Sequence, residues 1–332
     1  MTSRAILPLE DLQQSQPPAP ISLTKAGVTR SAKAIRISYE GVERLFQAEI
    51  ACYADLSPQQ KGVHMSRFEE GINEAIDQVV LGEALVIESL AQRIAERVVS
   101  AQGALRSEVT IRASYPKVRT TPVSEIESQE MYELIGVAAA SPTGARRLVG
   151  VSAQGMNACP CAQGLIRAQA EVALANDGFS REQIDRIVTH VPIATHNQRA
   201  RGTLYVGSTD LAADVNADTL IAIVEESMSS EIYELLKRTD EQYIVDRAHR
   251  RPRFVEDSVR EMVRGVVEQF PELPDGAFIW AHQANFETIH THDVEAERSG
   301  TLGEIREELA GGSHSTHHTG IREWLHGGLL GA

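Results

Sequence analysis

Three short clusters along the chain combine residue types that bind metals, move protons or hold anions. In chain order they are the Cys-Pro-Cys run at 159–161, the segment 195–202 and the segment 287–293. Thiolate and imidazole groups are common ligands of catalytic zinc and iron. The clusters therefore predict a mixed Cys and His site, assembled from distant parts of the chain, that would activate a water for hydrolysis.

The first cluster places Cys159 immediately before Pro160. Proline has a fixed φ and biases the preceding residue toward an extended backbone. A helix-forming run at 164–175 follows. This pattern predicts Cys159 at the end of a strand, where its thiol can face a cleft, and it differs from the C-x-x-C spacing of zinc knuckles. The alternative is that Cys159 and Cys161 are two buried structural cysteines.

The second cluster has His196 followed by Arg199 and Arg201. Arginine binds phosphate through two parallel hydrogen bonds. These two arginines, with Arg146 or Arg147, are therefore candidates for holding an anionic ligand. The alternative is a solvated loop whose arginines pair with Asp or Glu.

The third cluster holds His290 and His292. Side chains two residues apart on a strand share a face, so a strand over this segment would direct both imidazoles at one site. Histidine binds metals and moves protons near neutral pH, although an H-x-H pair also occurs by chance. Glu241 and Glu256 are candidates for a further ligand or base, and spacing does not choose between them.

Composition restricts the classes of protein that could hold such a site. The chain has 332 residues, 42% hydrophobic and 23% charged, which is enough to form a core. The 32 Lys and Arg against 46 Asp and Glu give a net charge of −14, which argues against a nucleic-acid or anionic-lipid surface. Three cysteines do not suggest a disulfide framework. Without a long apolar run the chain is predicted to be cytoplasmic and to bind no membrane. No Rossmann or P-loop glycine motif occurs in the sequence.

Hydrophobic periodicity predicts the elements that would position these clusters. Strands are predicted at about 34–55, with a turn at Glu40-Gly41, and around 130–152, 203–207 and 278–281. Helices are predicted at about 66–79, 83–102, 161–178, 217–236, with a possible break at Ser229-Ser230, and 255–270. Strands and helices in separate groups are typical of an α+β fold with antiparallel sheets.

Six motifs occur in the same order as in the GTP cyclohydrolase IB family, over about residues 20–295. They are 23–29 (LTKAGVT), the Cys-Pro-Cys run, 196–199 (HNQR), 235–241 (LLKRTDE), 254–257 (FVED) and 289–292 (IHTH). The chain resembles this family across that range. The resemblance implies the tunnelling fold (T-fold), with two ββααββ-type modules, antiparallel sheets and helices on one face. It also implies a homotetramer or homodimer with sites at subunit interfaces.

Composition and periodicity, together with the resemblance, predict how the chain divides. The expected parts are an extended arm at 1–20, a first module at 21–160, a helical insertion at 161–185, a second module at 186–305 and a mobile tail rich in His and Gly at 306–332.

Residue by residue, the resemblance implies a metal-dependent hydrolase acting on GTP. The implied metal ligands are Cys159, His196, Glu241 and His290. Glu256 would anchor the guanine ring, and His292 would act beside the metal. One divalent metal per subunit is expected, Fe(II) in the first place, with Zn or Mn as alternatives. The reaction would open the guanine imidazole ring at C8 and release formate, and Arg147, Arg199 and Arg201 are candidates for the triphosphate.

Two features of the motifs resemble the archaeal branch of the family. The Cys and the His-Asn-Gln-Arg are separated by residues 160–195, and the phrase Gly-Met-Asn-Ala-Cys-Pro-Cys-Ala-Gln fits that branch. The implied product is 7,8-dihydroneopterin 2′,3′-cyclic phosphate, for methanopterin- or folate-type pterin synthesis. One alternative is a bacterial-type enzyme that makes 7,8-dihydroneopterin triphosphate. Others are a thiol-nucleophile enzyme of the same fold, such as a nitrile reductase, and a scaffold with a structural metal.

Overall fold

A computed structural model describes residues 11–39, 42–80, 86–209, 215–312 and 316–327. The predicted turn at Glu40-Gly41, the predicted start of a helix at 83–85 and the first ten residues of the predicted arm lie outside these ranges. So do residues 313–315 and 328–332 of the predicted tail.

The strands and helices of the described residues follow one another in grouped order. In chain order they are β1 (Leu23–Tyr39), β2 (Val42–Leu56), α1 (Met65–Val80), α2 (Ile87–Gln102), β3 (Ser107–Thr120), β4 (Glu127–Ser141), β5 (Gly144–Ala158), α3 (Pro160–Asn176), α4 (Arg181–His190), β6 (Asn197–Ser208), α5 (Ala217–Ser227), β7 (Ser230–Glu231), α6 (Arg238–Arg250), α7 (Val255–Gln269), β8 (Phe278–Asn285), β9 (Val294–Thr301), α8 (Leu302–Leu309) and α9 (Ile321–His326). The α+β class with antiparallel sheets is confirmed.

The chain forms two compact units, and the first comprises residues 1–113, 136–147 and 325–332. In it β2 pairs antiparallel with β1 and with β3, so that Cys52 lies opposite Val28 on one side and Val109 on the other. Helices α1 and α2 pack on each other, α1 on β1 and α2 on β2. Cys52 is fully buried, and this burial raises the pKa of its thiol to about 12. It therefore serves as a small core residue rather than a nucleophile.

The second unit comprises residues 114–135 and 148–324 and contains all the predicted chemistry-bearing residues except Arg146 and Arg147. Its strands are ordered β5-β6-β8-β9, with β7 paired to β5. Helices α5 and α7 pack on each other, and α7 also packs on β8 and β9. Fully buried side chains fill the space between them. Examples are Leu204, Leu220, Met262, Val266 and Phe278.

Two stretches of this unit complete what the sequence left open. The helix predicted over 217–236 ends at Ser227, close to its possible break at Ser229-Ser230, and β7 follows it, because the backbone of Ser229 is hydrogen-bonded by a distant side chain. The segment 287–293 is the irregular connection between β8 and β9. His290 and His292 therefore do not share a strand face.

At Gly155, strand β5 lies close to the segment that contains β7. A Cβ there would lie 2.6 Å from the Met228 sulfur and 3.0 Å from the Ser230 carbonyl oxygen. A side chain at this position would therefore displace the Met228 side chain and press on the Ser230 backbone, and glycine favours the pairing of β7 with the last residues of β5. The strand then continues directly to Cys159. Among the described helices, none has both the length and the apolar character that crossing a membrane requires.

Candidate active site

A cleft of about 260 Å³ in the second unit brings together most of the residues singled out in the sequence. Five segments form it: the end of β5, the start of β6, the start of α7, the end of β8 and the β8–β9 connection. The lining residues that bear chemistry are Cys159, His196, Gln198, Arg253, Glu256, Asn285, Glu287, His290 and His292.

Backbone hydrogen bonds hold Cys159 beside His196, although helices α3 and α4 separate them in sequence. The Cys159 N–H donates to the His196 carbonyl at 3.1 Å. The Thr195 hydroxyl donates to the Cys159 carbonyl at 2.8 Å. The two helices therefore leave the sheet and return to it at one point, which places the thiol and the imidazole in the same cleft.

Cys159 is also the N-cap of α3. Its sulfur accepts a hydrogen bond from the Ala162 N–H at 3.5 Å, and Pro160 occupies the first helical position. Proline is favoured there because its missing N–H would have no helical partner. Cys159 is half-buried and Cys161 is exposed, so the alternative of two buried structural cysteines is wrong.

His196 faces a carboxylate that the sequence analysis did not select. Its Nδ1 lies 3.8 Å from Oε2 of Glu287, which is too long for a hydrogen bond. Gln198 donates to the other oxygen, Oε1 of Glu287, at 3.1 Å. Within the described residues, His196 Nδ1 and Glu287 Oε2 are both buried without a hydrogen-bond partner.

Glu256 enters the cleft from the first turn of α7. Asp257 accepts a hydrogen bond from the Phe254 N–H at 3.0 Å and so caps this helix. Arg253, just before the helix, also lines the cleft. Its backbone N–H donates to the Ala158 carbonyl at 3.0 Å, which ties the start of α7 to the end of β5.

The Arg253 side chain is 16% exposed and is paired with Glu261 at 3.5 Å. Burial first, and then the neighbouring charge of Arg251, lower its pKa from the usual value. Among the described residues its Nε has no hydrogen-bond partner. A buried guanidinium with a free donor is suited to an anionic or carbonyl-bearing ligand.

His290 and His292 stand at the cleft with both rings exposed. The rings stack on each other, with centroids 5.2 Å apart and planes inclined by 15°. The two imidazoles therefore reach one site without a strand, because the irregular connection places both rings at the cleft.

Four predicted site residues do not line this cleft. Glu241 is exposed in the first turn of α6. Arg199 and Arg201 alternate with the buried Gln198 and Ala200 along β6, so they point to the opposite face, where Arg201 lies over the Phe286 ring. Arg147 belongs to the first unit, where it donates to Ser89 at 2.9 Å.

The donor chemistry of the cleft suits a divalent metal. It offers a thiol, imidazoles and two carboxylates, and within the described residues four buried polar atoms of its lining lack hydrogen-bond partners: His196 Nδ1, Gln198 Oε1, Arg253 Nε and Glu287 Oε2. Within the described residues, no three His, Cys, Asp or Glu side chains stand close enough to one point to hold an ion together. His290 is exposed at the mouth of the cleft, and a backbone hydrogen bond holds Cys159 and His196 side by side.

Sequence reasoning missed Gln198, Arg253 and Glu287 as members of the site. Glu287 belongs to the third cluster and Gln198 to the second. However, no characteristic spacing of residues marks a single carboxylate or amide as part of a site. Arg253 adjoins the 254–257 motif, and only the fold shows that its side chain turns inward. Proximity to motif residues was the one signal available for all three.

Comparison with known proteins first defines the fold. The structure is similar to uricase from Arthrobacter globiformis, with a TM-score of 0.52 and 9% identity over 88% of this chain and 96% of that one. This likeness confirms the tunnelling fold expected from the sequence.

Sequence comparison then defines the family. The family model for type I GTP cyclohydrolase folE2 matches residues 9–296. GTP cyclohydrolase MptA of Methanococcus aeolicus is 40% identical over 306 residues, 90% of this chain and 99% of that protein. MptA of Methanosarcina mazei is 37% identical over 311 residues, 91% and 98% of the two chains. The chain belongs to the type I GTP cyclohydrolase family of hydrolases that act on GTP.

Proposed function

We propose that the cleft around Cys159 hydrolyses the guanine of GTP at C8 and releases formate, after which the ribose chain rearranges and closes onto the ring amine. Attack of a ribose-derived hydroxyl on the α-phosphate expels diphosphate, so the product is 7,8-dihydroneopterin 2′,3′-cyclic phosphate. The observation that carries this proposal is the convergence of Cys159, His196, Glu256 and the two histidines in one cleft of a chain from this family. The similarity to proteins named MptA supports the archaeal-type product over the triphosphate.

Glu256 and Arg253 are suited to hold the base. A carboxylate accepts two hydrogen bonds, and guanine offers a ring N–H and an exocyclic amine on one edge. The Arg253 guanidinium donates, and guanine presents two acceptors, O6 and N7, on its other side. A base held at both edges would have its C8 fixed within the cleft, which lowers the entropic part of the barrier.

His292 and His290 are suited to move protons as the ring opens. Imidazole changes charge near neutral pH, and both rings are exposed at the cleft and can reach a bound ligand. Glu287 would orient His196 through the carboxylate–imidazole pair, while Gln198 holds Glu287 in place.

We further propose that Cys159, His196 and His290 hold one divalent metal, Fe(II) in the first place, with Glu241 or Glu287 as the carboxylate. Such a metal supplies Lewis acidity that activates water near neutral pH. The unpartnered His196 Nδ1 and Glu287 Oε2 support a polar ligand at this position. Zn and Mn suit the same donor set.

The triphosphate requires cations beyond Arg253, and a second copy of the chain could present them. Arg199, Arg201 and Glu241 lie outside the cleft of their own chain, which supports a site completed at a subunit interface of a homotetramer or homodimer. Exposed apolar side chains on α3 also support self-association. They are Leu165, Ile166 and Val172, which are 70%, 46% and 62% exposed.

The direct test is turnover of GTP by anaerobic, Fe(II)-loaded protein. We expect formate and a pterin whose mass matches the cyclic phosphate, whereas a mass matching the triphosphate would assign the bacterial-type reaction. No pterin from folded, metal-loaded protein would refute the assignment. A metal-free protein that forms a covalent adduct at Cys159 would indicate a thiol-nucleophile enzyme instead.

The His290→Asn variant tests the ligand set. We expect at least a 100-fold loss of kcat together with a loss of bound metal measured by elemental analysis. His190→Asn, the same substitution at an exposed histidine that ends α4 away from the cleft lining, is the matched control and should retain both. Full metal content in His290→Asn would place the third ligand elsewhere.

A further inference from the structure

We infer that Asn157 is a positioning residue for this reaction, because its buried amide ties together the segments that carry the cleft side chains. This inference rests on the proposed function of the cleft. Asn157 lies on β5, two residues before Cys159, and is fully buried. Asn157 does not itself line the cleft, but its side chain hydrogen-bonds Asn285, which does.

Both polar atoms of the Asn157 side-chain amide form hydrogen bonds. Its Nδ2 donates to the Ser258 hydroxyl at 3.1 Å and to Oδ1 of Asn285 at 3.0 Å. Its Oδ1 accepts from the Ser229 N–H at 3.0 Å. The Ser229 hydroxyl in turn accepts from the Ala158 N–H at 3.1 Å, which closes the network back onto β5.

Two of the partners of Asn157 lie within two residues of a carboxylate of the cleft. Ser258 is in the first turn of α7, two residues after Glu256, and is fully buried. Asn285 ends β8, lines the cleft and precedes Glu287 by two residues. The single amide therefore connects three segments: the one that presents the Cys159 thiol, the one that presents Glu256, proposed to hold the guanine base, and the one that presents Glu287 beside His196.

Only an amide satisfies this arrangement. Two donated bonds and one accepted bond are needed, and a carboxylate offers no donor while an apolar side chain offers neither. Buried polar partners left unsatisfied are costly and would shift to find others. A shift of about 1 Å at a reacting group is enough to slow catalysis about 100-fold.

The experiment compares variants of Asn157 and Ser258 by their kcat and by their KM for GTP. Asn157→Ala loosens all three segments, so we expect kcat to fall about 10- to 100-fold in protein that remains folded and metal-loaded. Ser258→Ala loosens only the helix that carries Glu256, so we expect KM for GTP to rise about 5- to 10-fold with a smaller change in kcat. Ser258→Thr keeps the hydroxyl and should keep KM within about twofold of the wild type.

A merely structural role predicts a different result. It would lower thermal stability while leaving kcat and KM of the folded protein unchanged, as we expect for Ser227→Ala, a buried serine that bonds the Val224 carbonyl away from the cleft. If Asn157→Ala does not fold, the Ser258→Ala and Ser258→Thr pair still decides the question through KM. Kinetic constants within twofold of the wild type in both Asn157→Ala and Ser258→Ala would overturn the inference. Absence of pterin from the wild type would overturn the proposed function and this inference together.

Discussion

At the residue scale, the pair of His196 and Glu287 is the most informative contact of the site. Glu287 is 7% exposed, and one of its oxygens is held by Gln198 while the other faces the imidazole at 3.8 Å. A buried carboxylate that orients a histidine ligand fixes the ring and raises its basicity. The pair therefore links the polar interior of the cleft to the proposed metal.

The Glu287→Gln variant tests this link. It keeps an acceptor for Gln198 but removes the charge beside His196, so we expect kcat and metal affinity to fall about 10- to 100-fold. Glu241→Gln is the matched variant, since it makes the same substitution at a carboxylate outside the cleft. Elemental analysis and kinetics of both variants would decide which carboxylate serves the metal. Loss of metal in Glu241→Gln alone would contradict the role given to Glu287 and indicate a ligand supplied by a second copy.

Residue types were easier to predict from the sequence than the directions of their side chains. Cys159, His196, Glu256, His290 and His292 were selected by chemistry and motif, and the structure places all five in one cleft. Arg199 and Arg201 belong to the same cluster as His196, residues 195–202, but the alternation of side chains along β6 turns them away from the cleft. Closeness in sequence predicts which residues lie near one another, whereas the pleat of the strand decides which face of the sheet each side chain is on.

At the element scale, one buried carboxylate holds the start of α6. Asp240 is fully buried and accepts hydrogen bonds from the Val123 and Ser124 N–H groups, each at 2.9 Å, from the Ser124 hydroxyl at 2.6 Å and from the Lys237 N–H at 2.9 Å. Although burial opposes the charge, these bonds hold the pKa of Asp240 well below its usual range. The β3–β4 turn and the helix that carries Glu241 are thereby fixed to each other.

Replacing Asp240 by Asn should destabilise this junction. The amide would turn a donor toward groups that already donate, leaving them without an acceptor. We expect the Tm to fall by about 5 °C or more in a thermal melt. Asp246→Asn, on the exposed side of the same helix and paired with Arg250, should change it by less than about 2 °C. Equal effects of the two substitutions would contradict the anchoring role.

Elements were predictable where periodic apolar residues are buried and not where polar groups decide the backbone. The stripe of Val259, Val263 and Val266 predicts the helix at 255–270, and α7 covers Val255–Gln269 because all three side chains are buried. The helix predicted through 236 stops at Ser227 because a hydrogen bond from Ser229 to Asn157 competes with helical bonding. The Ser229-Ser230 pair indicates a possible break from the sequence alone, but the hydrogen-bond partner that ends the helix is distant in sequence and no local pattern could reveal it.

At the whole-molecule scale, the net charge of −14 shapes how stability depends on pH. Most of the carboxylates whose burial the structure describes are exposed, but Glu108 on β3 is largely buried between Lys25 and His326. Burial raises its pKa, but the hydrogen bonds and charges of His326 and Lys25 outweigh that effect and lower it to about 2. The ionised form of Glu108 therefore favours the folded chain.

Unfolding of the Glu108→Gln variant should show this dependence. A carboxylate whose pKa is lowered by folding contributes its full stabilisation above the unfolded pKa, near 4.3, and loses it as the pH falls toward 2. We expect the wild type to exceed the variant by about 1–2 kcal/mol at pH 7, after allowance for solvent screening, and the difference to close between about pH 4.5 and pH 2. Urea unfolding at a series of pH values measures this difference in the free energy of unfolding.

Glu74→Gln, which removes a more exposed carboxylate paired with Arg97, is the matched control and should show a smaller difference. A difference for Glu108→Gln that stays constant from pH 7 to pH 2 would mean that Glu108 stabilises the fold through packing rather than through its charge.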